Sequence, residues 1–307
     1  MTAQPPPPPA GAVYDRGYRP YEGERGGRGA ARAALVRVSI RRALGLRRSW
    51  RQKVLPWSLL AIATIPAVVN VGVKYLTRNT PGFEVDLITF RGYISVSTAL
   101  ILFVAVTAPD MVCPDRANRV LPLIFARPLT GNDYVLAKVG ALTAVLFGFG
   151  FLPQVVLFVG QMFVARDGAL HYVTENAAVL WQVPVAVALF SLYLASLAVA
   201  ISATTARRVV GGVALLATVF VSASVASLLV SAGGADPERI FEDGTLWGLL
   251  SAMDIPIRMT DLVFLGHVDP TSLVGGAEGA GIGVVLVYLA VVGGSLGYLA
   301  YRYRGVQ

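Results

Sequence analysis

The sequence predicts an all-α polytopic membrane protein, with six transmembrane helices, an N-terminal interfacial amphipathic helix and short re-entrant helices between spans 5 and 6. Three observations lead there. The 307 residues are 55% hydrophobic and only 14% charged, with a mean hydropathy of +0.63, whereas soluble domains are roughly one-quarter charged. Six windows hold no charged residue: Val54 to Val73, Gly92 to Pro109, Val139 to Ala165, Asn176 to Ala206, Val209 to Ala235 and Gly279 to Tyr301. Each approaches or exceeds the roughly 20 residues that cross a bilayer, where a central charge costs about 2.5–3.5 kcal/mol. Finally, lysine and arginine crowd into alternate connections.

In chain order, residues 1–30 form a Pro/Gly/Arg-rich tail with five consecutive prolines, Pro5 to Pro9. Such a composition buries no core, so a disordered cytoplasmic tail is expected. Residues 31–53 read as a helix on the membrane surface, with Arg37, Arg41 and Arg48 on one side and Leu35, Val36, Ala43, Leu46 and Trp50 on the other. Residues 54–307 form a six-span domain, with spans at about 54–73, 92–109, 139–165, 178–203, 209–232 and 279–301. Pro66, Pro153 and Pro184 lie inside spans, where neighbouring helices make kinks tolerable. Between spans 5 and 6, Asp254, Arg258, Asp261 and Asp269 cut the apolar runs too short to cross. Short helices on or partly within the outer leaflet accommodate both the charges and the oily pieces.

Residues 1–53, 110–138 and 204–208 and the tail hold 20 lysines and arginines, and the opposite connections hold 6. Both termini are therefore expected in the cytoplasm of a multi-pass protein of the cell membrane. The net charge of +8 follows this asymmetry, so it indicates a lipid bilayer as partner rather than nucleic acid. Arginine outnumbers lysine 23 to 3, which suits a GC-rich bacterium. The one cysteine, Cys113, excludes an internal disulfide and is expected as a free thiol on the cytoplasmic side.

Signals for catalysis are lacking. His171 and His267 fall in external connections with no second histidine or cysteine at metal spacing, so no metal site is expected. No H-E-x-x-H string occurs, and nothing reads as a nucleophile elbow. The lysines are Lys53, Lys74 and Lys138, and none ends a G-x-x-x-x-G-K phosphate loop. No catalytic or cofactor-binding residue is expected, and nucleotide-driven work falls to another chain.

Residues 114–138, PDRANRVLPLIFARPLTGNDYVLAK, stand apart in their charge and proline content. Pro114 and Asp115 suit a helix start, Arg116 to Phe125 about two turns, and Asp133 the start of the next helix. Leu121, Ile124, Pro128, Tyr134 and Lys138 fit a run of the form E-x-G-T-L-x-x-L-L-x-x-P-x-[ST]-R-x-x-[YI]-x-x-[GA]-K, with Arg119-Val120 in place of Gly-Thr. This resembles the segment between spans 2 and 3 of permease subunits of bacterial type-two ATP-binding-cassette (ABC) exporters. A basic interfacial helix, six spans and re-entrant helices between spans 5 and 6 extend the likeness over most of the chain.

The resemblance implies a coupling helix that docks on a separate ABC ATPase, with Arg116, Arg119, Arg127, Asp133, Tyr134 and Lys138 in the docking segment. It implies a non-catalytic permease, paired with a second permease copy in a homo- or heterodimer, that exports a hydrophobic compound, lipid or drug. ATP and magnesium would be bound by the partner. Three other classes stay open: a membrane-embedded lipid-modifying enzyme using Asp254 and Asp261, a secondary transporter, and an anchor acting through the Pro-rich tail.

Overall fold

The computed structural model describes residues 26–46, 50–78, 88–93, 97–126, 128–166, 168–232, 245–275 and 277–304. Most of the tail, Arg48 and Arg127 lie outside them. The chain is an all-α polytopic membrane protein, and its described residues include six helices long and apolar enough to span. These are α2 (Trp50–Thr77), α4 (Ser97–Ala117), α6 (Gly131–Val164), α8 (Val179–Thr204), α9 (Arg208–Ala232) and α11 (Ala280–Arg304). Before and between them stand α1 (Arg28–Ala43), α3 (Phe90–Tyr93), α5 (Leu121–Phe125), α7 (Ala169–Glu175), a 3-10 helix (Leu246–Leu250) and α10 (Asp254–Leu265).

Helices α4 and α8 form the centre, each with 67% of its apolar window buried, against 17% for α2 and 22% for α9 and α11. Helix α4 lies against α8 and α9, whereas α6 packs on α8, α2 and α1. Stacked Phe103 and Phe149 join α4 to α6 at a ring separation of 4.5 Å. The outward apolar side chains of α2, α9 and α11 suit lipid or a protein neighbour.

Span 2 departs from the expected 92–109. Phe90–Tyr93 forms a separate turn, and α4 continues through Pro109 and Pro114 to Ala117. Pro114 and Asp115 thus close a helix rather than open one. Proline lacks the N–H that would return to the carbonyl four residues back, so Pro109 leaves the Ala105 carbonyl without its helical donor. Gly212 of α9 faces that carbonyl so closely that a Cβ would sit 2.5 Å from the oxygen. Gly211 meets the Pro109 ring itself, at 3.3 Å from a built Cβ. Arg208 adds an ion pair to Asp110 at 3.0 Å.

Helix α6 begins eight residues before the charge-free window, includes Asp133 and Lys138, and has 34 residues. At 1.5 Å per residue it is about 51 Å long and overruns a hydrocarbon core of about 30 Å. The expected interfacial helix is shorter than 31–53. Gly45, at φ 65°, ends α1, where the Leu46 and Gly45 N–H groups return to Arg41 and Arg42. Trp50 already belongs to α2. Two short helices do stand between spans 5 and 6, packed on α8, α9 and α11.

Candidate functional site

The site is the α4–α6 connection together with α1, at the end of the bundle that carries most of the basic residues. Helix α4 closes with the Val120 N–H on the Asp115 carbonyl at 3.0 Å and the Arg119 N–H on the Arg116 carbonyl at 3.1 Å. This is a Schellman ending, which places one residue in the left-handed region, usually glycine. Here it is Arg119, at φ 52°, alone among the described non-glycine residues in having a positive φ. The short helix α5 follows, and Pro128 precedes the next start.

At the start of α6, Thr130 and Asp133 form a capping box. The Thr130 N–H donates to Asp133 Oδ2 at 2.9 Å, and the Asp133 N–H donates to Thr130 Oγ1 at 3.3 Å. The same carboxylate receives Arg28 at 2.8 Å and Arg32 at 2.5 Å, both from α1. One carboxylate therefore starts a span and fastens a second helix to it.

Asp115 is the second fastening. Its Oδ1 accepts from Arg42 of α1 at 2.8 Å. Its Oδ2 accepts from Lys138 Nζ at 2.7 Å and from the Tyr134 hydroxyl at 3.0 Å. Lys138 Nζ also donates to the Met111 carbonyl at 2.8 Å. Lys138 is 2% exposed and Asp115 5%, so these charges satisfy one another instead of water. The Tyr134 ring extends the joint to α11 through Tyr303, 4.9 Å away.

The proposed docking residues thus divide. Asp133, Tyr134 and Lys138 are buried inside the chain, with partners on α1 and α4. Arg116 is half-buried and donates to the Ala203 carbonyl at the end of α8. Arg119 is exposed with Ala117, Asn118, Pro122 and Leu123, the last 72% exposed. Arg127 lies outside the described residues, as does Arg48 of the expected basic face. Arg37 and Arg41 do face outward.

Sequence reasoning missed Arg28, Arg32 and Arg42 as partners and misread Asp115. A signal was available: Asp110, Asp115 and Asp133 are the acids of the 110–138 segment, and acids amid so many arginines are apt to be paired. The expectation of spans free of charge also needs correction, since Asp110, Asp115, Asp133 and Lys138 lie within spanning helices, near their ends.

No family model matches the chain, and no curated protein matches it in sequence. Its chemistry is read from its own geometry.

At the opposite end, Arg91 reaches Asp269 and lies 3.5 Å from Asp261. Arg258 pairs with Asp261 at 2.7 Å and with Asp254 at 3.8 Å. Burial pushes the Asp261 carboxyl above its ordinary range, against the pull of Arg258 and Arg91. Asp269 is held at about 2, chiefly by the Thr271 hydroxyl and N–H and also by Arg91. This lattice ties the segment after span 1 to the one before span 6. Among the described residues, no three His, Cys, Asp or Glu side chains are grouped to hold a metal.

Contrary to the expectation of none, one string of the sequence has the G-x-S-x-G spacing of a nucleophile elbow, Gly293-Gly294-Ser295-Leu296-Gly297. It lies inside continuous helix α11, in the middle of a span, with no strand-to-helix turn to present the serine. The match is one of spacing alone.

Proposed function

We propose that the chain is the membrane-spanning permease subunit of an ABC transporter, driven by a separate ATPase docked on residues 117–128. The observation that carries the reading is a small exposed tip on a stiff base. Arg119, Pro122 and Leu123 project from the end of the bundle, while the buried charges of Asp115 and Lys138 lock the helices on either side. A left-handed arginine is a locally unfavourable conformation, and such positions tend to mark function.

A partner pressing on the tip moves α4 and α6 together, because Asp115 joins them, and moves α1 with them through Arg42. Leu123 supplies an apolar anchor and Arg119 a charged one, the mixture expected at the centre of a docking patch. Nucleotide and magnesium belong to the ATPase, and the permease supplies the path. On this reading the protein resides in the cell membrane with both termini in the cytoplasm and pairs with a second permease copy. Its cargo is a hydrophobic compound, a lipid or a drug, and the direction is export.

The buried Asp115–Lys138 pair is also the one observation that favours a secondary transporter, since intramembrane ion pairs can relay protons. Its position near a helix end, with Asp115 held by three donors, suits an anchor better.

Co-purification tests the reading. The chain should carry an ABC ATPase out of native membranes, and Leu123→Asp should lose it while leaving thermal unfolding of the chain unchanged. Transport by the isolated chain in vesicles, without an ATPase, would contradict it.

A further inference from the structure

An open groove of about 410 Å³ runs between α6, α8 and α11, lined by Leu136, Gly140, Thr143, Phe147, Leu192 and Leu296 among others. That volume lies in the range of small-molecule sites, roughly 300–1,000 Å³. From Leu136 to Phe147 the groove follows α6 for eleven residues, about 16 Å at 1.5 Å per residue. One leaflet of a bilayer is about as deep, half of about 30 Å of hydrocarbon.

Both walls end in a polar residue at the basic end of the bundle. On α6, Asn132, Leu136 and Gly140 follow at four-residue steps, and on α11 so do Leu296, Ala300 and Arg304, which places each set on one face. The two helix ends are neighbours, since a Cβ on Gly131 would sit 2.7 Å from the Tyr303 carbonyl oxygen. Asn132 and Arg304 are both exposed. The nearby carboxylate, Asp133, is turned inward onto Arg28 and Arg32, so it places no negative charge at the mouth.

We propose that this groove holds one acyl chain of an anionic phospholipid whose phosphate rests on Arg304 and the Asn132 amide. The apolar walls match the chain in character and length, and the cationic mouth matches the headgroup. A bound lipid would cover the flank of α6 directly above the anchors of the α4–α6 connection.

Gly140 provides a clean test, because a Cβ there meets nothing within 4 Å. Gly140→Leu therefore starts its side chain in open space and extends it into the groove, and exposed Ala144, also on the groove wall, offers Ala144→Leu as a second filling variant. The detergent-purified full chain is titrated with phosphatidylglycerol or phosphatidylcholine while thermal unfolding and retained lipid are followed. The expected result is a larger rise in unfolding temperature with phosphatidylglycerol. Arg304→Gln should need roughly fivefold more of it for the same rise, as expected for one cation near an anionic headgroup. Both filling variants should lose the response while unfolding at no lower temperature than the parent without lipid. Equal responses to the two lipids, or an undiminished response in both filling variants, would overturn the proposal. So would conversion of a dimer to monomers by filling, which would assign the groove to a second copy.

Discussion

Lys138 and Asp115 meet at 2.7 Å across the base of the α4–α6 connection, with both side chains withdrawn from solvent. The pair is asymmetric. Without Lys138, Asp115 keeps Arg42 and the Tyr134 hydroxyl, whereas without Asp115, Lys138 keeps the Met111 carbonyl and the face of the Tyr134 ring, 5.4 Å from its Nζ, but loses its carboxylate.

That asymmetry sets an order of damage. Asp115→Leu should destabilise by about 3–5 kcal/mol, the cost of leaving a buried charge unpaired, and Lys138→Met by less. Asp115→Leu with Lys138→Met should recover part of the loss of Asp115→Leu alone. Thermal unfolding of the four proteins in one detergent checks the series, and a Lys138→Met protein worse than Asp115→Leu would refute the assigned roles.

Arg119 at φ 52° predicts a stabilising change. The left-handed region costs an ordinary residue roughly 1–2 kcal/mol, and glycine returns about 0.5–1 of that by loosening the unfolded chain. Arg119→Gly should thus gain about 0.5–1 kcal/mol in unfolding experiments while weakening ATPase binding. A variant with less stability and unchanged binding would remove the functional reading of this residue.

Close approach of α9 to α4 predicts a contrast between glycines. Gly212→Ala drives a methyl toward the Ala105 carbonyl and should cost about 1–3 kcal/mol. Gly140→Ala, with open space around it, should instead gain up to about 1 kcal/mol of helix propensity. Equal effects of the two would mean that α4 and α9 are not in contact at this point.

At the opposite end, Asp269 titrates at about 2 in the folded chain, below the roughly 3.9 of an unfolded aspartate. A lowered folded value means that its stabilisation is present above pH of about 4 and is lost as pH falls through about 2. Asp269→Asn should therefore unfold at a lower temperature than the parent at pH 6, with the gap closing between about pH 4 and 2. A gap independent of pH across that window would remove the ionised carboxylate from the account. Asp261 carries the opposite sign: its raised folded value makes its contribution greatest below the unfolded pKa and lost as pH rises through the folded one.

Charge-free windows made spans 1, 4, 5 and 6 legible, because an uncharged run of helical length fits few places but a bilayer. Span 2 was misplaced at both ends. The charge-free window ended at Pro109, before Asp110, and Pro114 and Asp115 read as the start of a separate short helix through Arg116, yet partners from other helices, Arg208, Lys138, Arg42 and Gly212 among them, let one helix run on past these residues. The docking segment was legible as a place but not as a set of roles. Asp133 and Arg28 are 105 positions apart, and Arg42 and Asp115 are 73 apart, so no local pattern joins them. Periodicity did reveal the outward Arg37 and Arg41 of α1, but the inward arginines depend on which acids the fold brings opposite.

The central claim is that the Arg119–Leu123 tip faces the cytoplasm and is covered there by an ATPase. Leu123→Cys in a Cys113→Ala background tests it directly, with a membrane-impermeant maleimide applied to native membrane vesicles of either orientation. The account predicts labelling in inverted vesicles alone, slow while peripheral proteins remain bound and faster once they are stripped. Labelling in right-side-out vesicles, or the same rate before and after stripping, would contradict it.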